Sequence, residues 1–319
     1  MVYVDIYNHL MMVLELTTHQ ISINFYRVVK MKKKLNILVL FSFILLSCGQ
    51  EGSNVTATTD NNNEDGSSAI VYDSKILMEL FTSTTCGPCF PQNTTLNRYL
   101  DPMSAVYAGD LADKWILLRY HVWWPSAGDP FYDWNPQPVI NREAYYDVGY
   151  VPHMYTNGNV DSAGTATTWR TNARAAVNQP TFFRIDINGS RNGFNISGNV
   201  QVTSSADISA VSGFKLYVAV THDNSTYTAP NGQTVFDQTF VDFLSGGTID
   251  GEQVYHDNIS LGAGQTFTKV FNWTMDDDWP NDSGVSWSIE DLNLVAFVQF
   301  DGAGQNNKKV YQVEAHAFD

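Results

Sequence analysis

Cysteine is scarce in this chain: three residues in 319, at positions 48, 86 and 89. Three thiols cannot staple a disulfide scaffold, so packing must hold the fold, and 44% hydrophobic with 13% aromatic residues supplies a sizeable core. Basic side chains are few as well, 18 against 33 acidic, for a formal charge of -15. That balance excludes a nucleic-acid phosphate backbone as partner and an anionic membrane surface held by electrostatics. Long apolar runs are missing too. The run from Leu35 to Leu46 is too short to cross a bilayer as a helix.

That short run has a different reading. "MKKKLNILVLFSFILLSCGQ" sets Lys32, Lys33 and Lys34 before the apolar stretch and Ser47-Cys48 after it, the layout of a secretory signal. "LLSC" resembles the bacterial lipobox, which implies that Cys48 is a lipid anchor rather than a redox partner. Residues 1–30 lie upstream of Met31, the expected true start, so residues 1–47 read as an extension plus signal peptide. Residues 48–68, rich in Gly, Ser, Thr, Asn and acid, read as anchor and flexible tether. The chain is expected to be exported and held at the outer membrane, on its periplasmic or surface side.

From residue 69 to 179 strand-like and helix-like segments alternate. "KILMELFTS", "KWILLRYHVWW" and "HMYTNG" read as strands; "PCFPQNTTLNRYL", "PVINREAYYDV" and "TATTWRTNARAAVNQ" read as helices, giving an α/β unit. After Pro180 the texture becomes alternating apolar and polar residues broken by Gly, Asn, Asp and Ser. Residues 180–319 are therefore expected to form an antiparallel β-sandwich of about seven strands.

The chemistry concentrates in "FTSTTCGPCFPQNTTL". Cys86-Gly87-Pro88-Cys89 follows a strand and opens a helix, where free backbone N–H groups and the positive end of the helix dipole favour thiolate over thiol. Cys86 is the candidate nucleophile. Cys89, one turn deeper, is placed to resolve a mixed disulfide. Two other readings stay open here: a structural crosslink, which across two intervening residues restrains little, and a metal site completed by His121 and His153. Pro91, lacking an N–H in the first turns, is expected to disturb the helix start.

Cys86-Gly87-Pro88-Cys89 resembles the active-site sequence of thioredoxins, and Gly149-Tyr150-Val151-Pro152 resembles the loop that carries the cis-proline of that superfamily. The resemblance implies a thioredoxin-like α/β domain, a redox-active Cys86–Cys89 disulfide, and a peptide substrate whose backbone meets Val151 and Pro152 beside Gly87 and Pro88. It also implies a proton-relaying acid on the preceding strand. Glu79 is the candidate, although it stands seven residues before Cys86 rather than six, and side-chain alternation makes one residue matter. "ELFTSTTCGPCFPQ", the lipobox and the closing "VAFVQFDGAGQNNKKVYQVEAHAF" together resemble the twenty-eight-kilodalton outer-membrane protein family of Bacteroidetes lipoproteins. That resemblance implies the two-part architecture, with adhesion as the activity proposed for the family.

The expected activity is thiol-disulfide exchange with exported protein thiols or disulfides. The alternative is a binding or adhesion lipoprotein in which the sandwich engages a partner and the cysteines are secondary. "HVWWPSAGDPFYDWNPQP", residues 121–138, reads as an aromatic loop. Trp123 and Trp124 in it are candidates for lining a peptide groove, with packing on the β half as the other reading. His153 is a candidate for tuning the thiolate. "DNNNEDG" has no flanking helices to make it a calcium loop and reads as tether, and the group Asp276, Asp277, Asp278 and Asp282 lacks diagnostic ligand spacing and reads as a solvated acidic turn. No metal and no cofactor is implied.

Overall fold

In the computed structural model, residues 70–318 are described, apart from residue 250; the expected anchor Cys48, signal and tether lie outside the described residues. The first long strand, β1 (Ile76–Thr82), is buried at all seven positions. A short apolar run of this kind, without alternation, suits a strand covered on both faces. Through the CGPC turn it leads to α1 (Cys89–Leu100), followed by β2 (Trp115–His121), α2 (Pro130–Trp134), α3 (Pro136–Tyr146), β3 (His153–Thr156), β4 (Val160–Asp161) and α4 (Ala166–Ala176). The β-rich remainder contributes β5 (Phe183–Asn192), β6 (Asn195–Ser204), β7 (Phe214–His222), β8 (Thr239–Phe243), β9 (Thr266–Thr274), β10 (Leu292–Phe300) and β11 (Val310–Ala317), with shorter strands between them.

One large sheet runs in the order β11-β10-β7-β8-β2-β1-β3-β4, with Asp257–Asn258 added beside β7. β1 and β2 are parallel, while β3 lies antiparallel to β1 with Phe81 opposite His153. A smaller sheet has the order β9-β6-β5.

The large sheet is covered on both faces. On one, Ile76, Met78 and Leu80 pack against Leu96 and Tyr99 of α1 and Trp169 and Ala173 of α4. Further along, Leu216, Val218, Leu294 and Ala296 meet Ile185, Val200 and Val202 of the small sheet. On the opposite face, Leu77, Phe81 and Tyr120 form a second core with Val139 and Tyr146 of α3 and with Tyr217, Val295 and Phe297.

The sequence-based boundary at 179/180 does not divide the sheet. β8 pairs antiparallel with β7 and meets β2 in parallel through Thr239 and Arg119, so strands from both sides of residue 180 share one sheet within one compact unit, 66–319. β8 is short and mostly buried, as are β7 and β10 beside it in the sheet, without the alternation seen in β5, β6 and β9. The expected single aromatic loop at 121–138 also differs. Asp129 caps α2, accepting from the N–H groups of Phe131 and Tyr132, and Pro130 starts the helix. Pro91 sits in the first turn of α1, where the missing N–H would have had no partner in the helix.

Candidate functional site

β1 delivers the chain to the rim of the sheet and two consecutive turns form the CGPC loop. The N–H of Cys86 donates to the Ser83 carbonyl at 3.2 Å, and the N–H of Cys89 to the Cys86 carbonyl at 3.2 Å. Cys86 and Cys89 form a disulfide. Both are buried, at 2% and 0% exposure, whereas Gly87 and Pro88 between them face solvent.

Two backbone groups lie close to the Cys86 sulfur. The Cys89 N–H donates to Sγ over 3.2 Å, and the Val151 carbonyl lies 3.7 Å from the same sulfur. The Val151–Pro152 peptide is cis. Tyr150, 47% exposed, stands next to this pair. A sulfur with an N–H at 3.2 Å has a donor for its anionic form.

The loop before Cys86 is anchored by residues that sequence reading did not assign to it. Asp129, fully buried, accepts from the Thr84 N–H at 2.7 Å and is 2.8 Å from Nδ1 of buried His121, while Thr85 Oγ1 donates to the Ser126 carbonyl. The Gly-Asp-Pro sequence was a readable helix-cap signal for Asp129, but nothing in it announced the contact with Thr84.

Glu79 has a different role from the proton relay expected of it. Its side chain is fully buried on the α3 face of the sheet, whereas α1, which carries Cys89, packs on the other. Arg142 of α3 donates to its Oε1 through Nε at 2.9 Å and Nη2 at 2.6 Å; Tyr146 donates to Oε2 at 2.5 Å and Tyr120 to Oε1 at 3.1 Å. Every partner of the carboxylate thus belongs to the far face. The physical reason is the pleat: a seventh-residue offset reverses the side on which the side chain emerges.

The two tryptophans separate. Trp123 is 51% exposed, while Trp124 is partly buried against the core that contains Phe81, Tyr120 and Val139. Next to it on α3, burial pushes the Glu143 carboxyl up to about 7, opposed by the Trp124 indole. Phe131 and Trp134 turn towards the β-rich half, with Phe131 packed on Phe236 and Trp279, so this part of the aromatic segment packs on the β half.

His121 and His153 do not join the cysteines as ligands. His153 Nε2 lies 2.8 Å from Asp161, and its ring is stacked between Tyr150 and Tyr155. Among the described residues the group with metal-like spacing is Asp276, Asp277 and Asp278, all exposed; Asp282 instead accepts from the Gly284 N–H.

No family model matches the chain, and no curated protein matches it. Among solved structures, HBP35 of Porphyromonas gingivalis superposes with a TM-score of 0.58 at 15% identity, over 78% of this chain and 76% of that one. At that identity the likeness is one of fold: a β-rich architecture with a few helices. A penta-heme cytochrome c552 from Thermochromatium tepidum covers 43% of this chain and 40% of its own at 8% identity, and a β-glucosidase from Kluyveromyces marxianus 47% and 16% at 13%. Both have TM-scores of 0.22, too low for a common fold.

Proposed function

We propose that the chain is a lipid-anchored thiol-disulfide oxidoreductase of the cell envelope, built on a thioredoxin-like β1-α1-β2…β3 unit that shares its sheet with the β-rich half. The observation that carries the reading is the setting of the Cys86 sulfur, with the Cys89 N–H at 3.2 Å and the carbonyl before cis-Pro152 at 3.7 Å. In the reduced protein the Cys86 thiolate attacks one sulfur of a client disulfide. A Cys86–client bond forms and the client's other sulfur leaves as a thiolate, which takes up a proton. Cys89 then attacks Cys86, re-forms the Cys86–Cys89 bond and frees the second client sulfur. Two electrons pass from the protein dithiol to the client, and an external dithiol restores the reduced form; the same steps reversed oxidise a client.

Val151 and Pro152 present backbone to the client, Gly87 and Pro88 form the exposed rim, and Trp123 with Tyr150 offer aromatic surface beside it. Glu79 has no part in these steps. The proposed client is an exported protein, and the proposed anchor is Cys48.

The test is a trap. Full-length protein carrying Cys89→Ser is expressed in its native envelope and resolved on non-reducing gels. Discrete adducts that disappear with reductant and with Cys86→Ala are expected. Their absence from correctly exported protein rejects the reading.

A binding role for the β-rich half has one observation in its favour. A cavity of about 180 Å³ is lined by Tyr145, Tyr217, Phe243 and Tyr255 together with Lys215 and His256.

A further inference from the structure

The redox loop is held by a residue 145 positions away in the chain. The turn over Ala229–Gln233 lies against the segment that precedes the disulfide, and Asn231 makes three hydrogen bonds to it. Its backbone N–H donates to the Thr84 carbonyl at 3.0 Å, and its side-chain amide donates to the carbonyls of Ser83 at 3.0 Å and Cys86 at 3.1 Å. The amide is itself anchored: Asn231 Oδ1 accepts from the Gln233 N–H at 2.9 Å, Gln233 Oε1 accepts from Asn93 of α1 at 3.0 Å, and Asn93 also donates to Thr82 Oγ1 at 3.1 Å. Gly232, with φ of +92°, turns the chain there.

In the disulfide form the covalent bond fixes the position of Cys86. Reduction removes that tie and leaves hydrogen bonds to hold residues 83–86. Of these, the Cys86 N–H to Ser83 bond and the Asn231 side chain share the Ser83 carbonyl, and Asn231 also holds the Cys86 carbonyl next to the sulfur.

We infer that Asn231 is a positioning residue of the redox centre: by gripping the Ser83 and Cys86 carbonyls it keeps the reduced Cys86 sulfur on the Cys89 N–H and so favours the thiolate. The β-rich half thereby completes the site rather than merely adjoining it. The inference rests on the proposed redox reading for its purpose but not for its measurement.

The experiment is the pH dependence of Cys86 alkylation by iodoacetamide in full-length protein bearing Cys48→Ser and Cys89→Ser, which leaves Cys86 as the sole thiol. Adding Asn231→Ala is expected to raise the Cys86 thiol pKa by about one unit, shifting the alkylation profile by that amount along the pH axis. Asn231→Ser, whose hydroxyl is too short to reach both carbonyls, gives a smaller rise and decides the matter if the alanine variant does not fold. A purely structural role lowers the melting temperature and leaves the thiol pKa in place; that result, in either folded variant, overturns the inference. A raised pKa together with an empty client trap upholds Asn231 and rejects the exchange reading alone.

Discussion

The two faces of β1 solve the same packing problem by opposite means. On the α1 and α4 side, Ile76, Met78 and Leu80 meet Leu96, Trp169 and Ala173, with no charged group from β1. On the α3 side, Leu77 and Phe81 flank Glu79, whose carboxylate is enclosed by Arg142, Tyr120 and Tyr146. The guanidinium is in turn surrounded by the rings of Tyr145, Tyr146, Tyr217 and Phe297 and donates to Gln299 at 3.0 Å. The apolar face tolerates loss of a group in proportion to the volume removed. The ionic face depends on both partners being present, because either charge alone is buried without compensation.

The sharpest way to break this contrast is Glu79→Ala, which strands Arg142 in the core and is expected to cost about 3–5 kcal/mol in urea unfolding. Adding Arg142→Met is expected to return part of that loss, and no recovery would mean that the two residues act independently. Where Glu79→Gln still folds, the Cys86 thiol should titrate as in the parent chain; a shifted alkylation profile would restore Glu79 as a proton relay. On the other face, Leu80→Ala is expected to cost about 2–4 kcal/mol by lost burial plus the cavity left behind, with no partner mutation able to rescue it.

The smallest effect concerns Glu143, half-buried on α3 beside Trp124. Folding raises its carboxyl from 4.5 to about 7. Between those values the native chain keeps a proton that the unfolded chain has released, so the contribution to stability is full below pH 4.5, declines as pH rises through 7, and is flat above. Glu143→Gln is therefore expected to leave the urea midpoint unchanged at pH 4 and to raise it at pH 8. The gain is about 1 kcal/mol after allowing for solvent screening at a half-exposed site. An equal shift at both pH values would count against this account.

Sequence patterning reached the local features of the site. The strand ending at Thr82, the helix opened by Cys89 and the "YVP" segment before the strand His153–Thr156 all lie where local periodicity and turn residues put them. It did not reach what depends on neighbours distant in the chain. The sharing of one sheet turns on Thr239 lying beside Arg119, in a strand too short and too buried to show alternation. "APNGQ" reads only as a turn, and its grip on Ser83 and Cys86 has no signature of its own. Glu79 was legible as an acid on the right strand, but its partner Arg142 lies 63 residues on and emerges on a face that only strand register decides.

The placement of β8 between β2 and β7 has a consequence for how the molecule comes into being. A chain synthesised from its N-terminus presents Cys86 and Cys89 well before Thr239–Phe243 and Leu292–Ala317 have been made. Until they arrive, the edge of β2 is unpaired, the turn containing Asn231 is missing, and the thiols stand on an unfinished sheet. Such long-range pairing forms late because distant segments must first meet. The cysteines are thus made early and enclosed late, and their chemistry as nascent thiols belongs to a different surrounding from the one in which they finally reside.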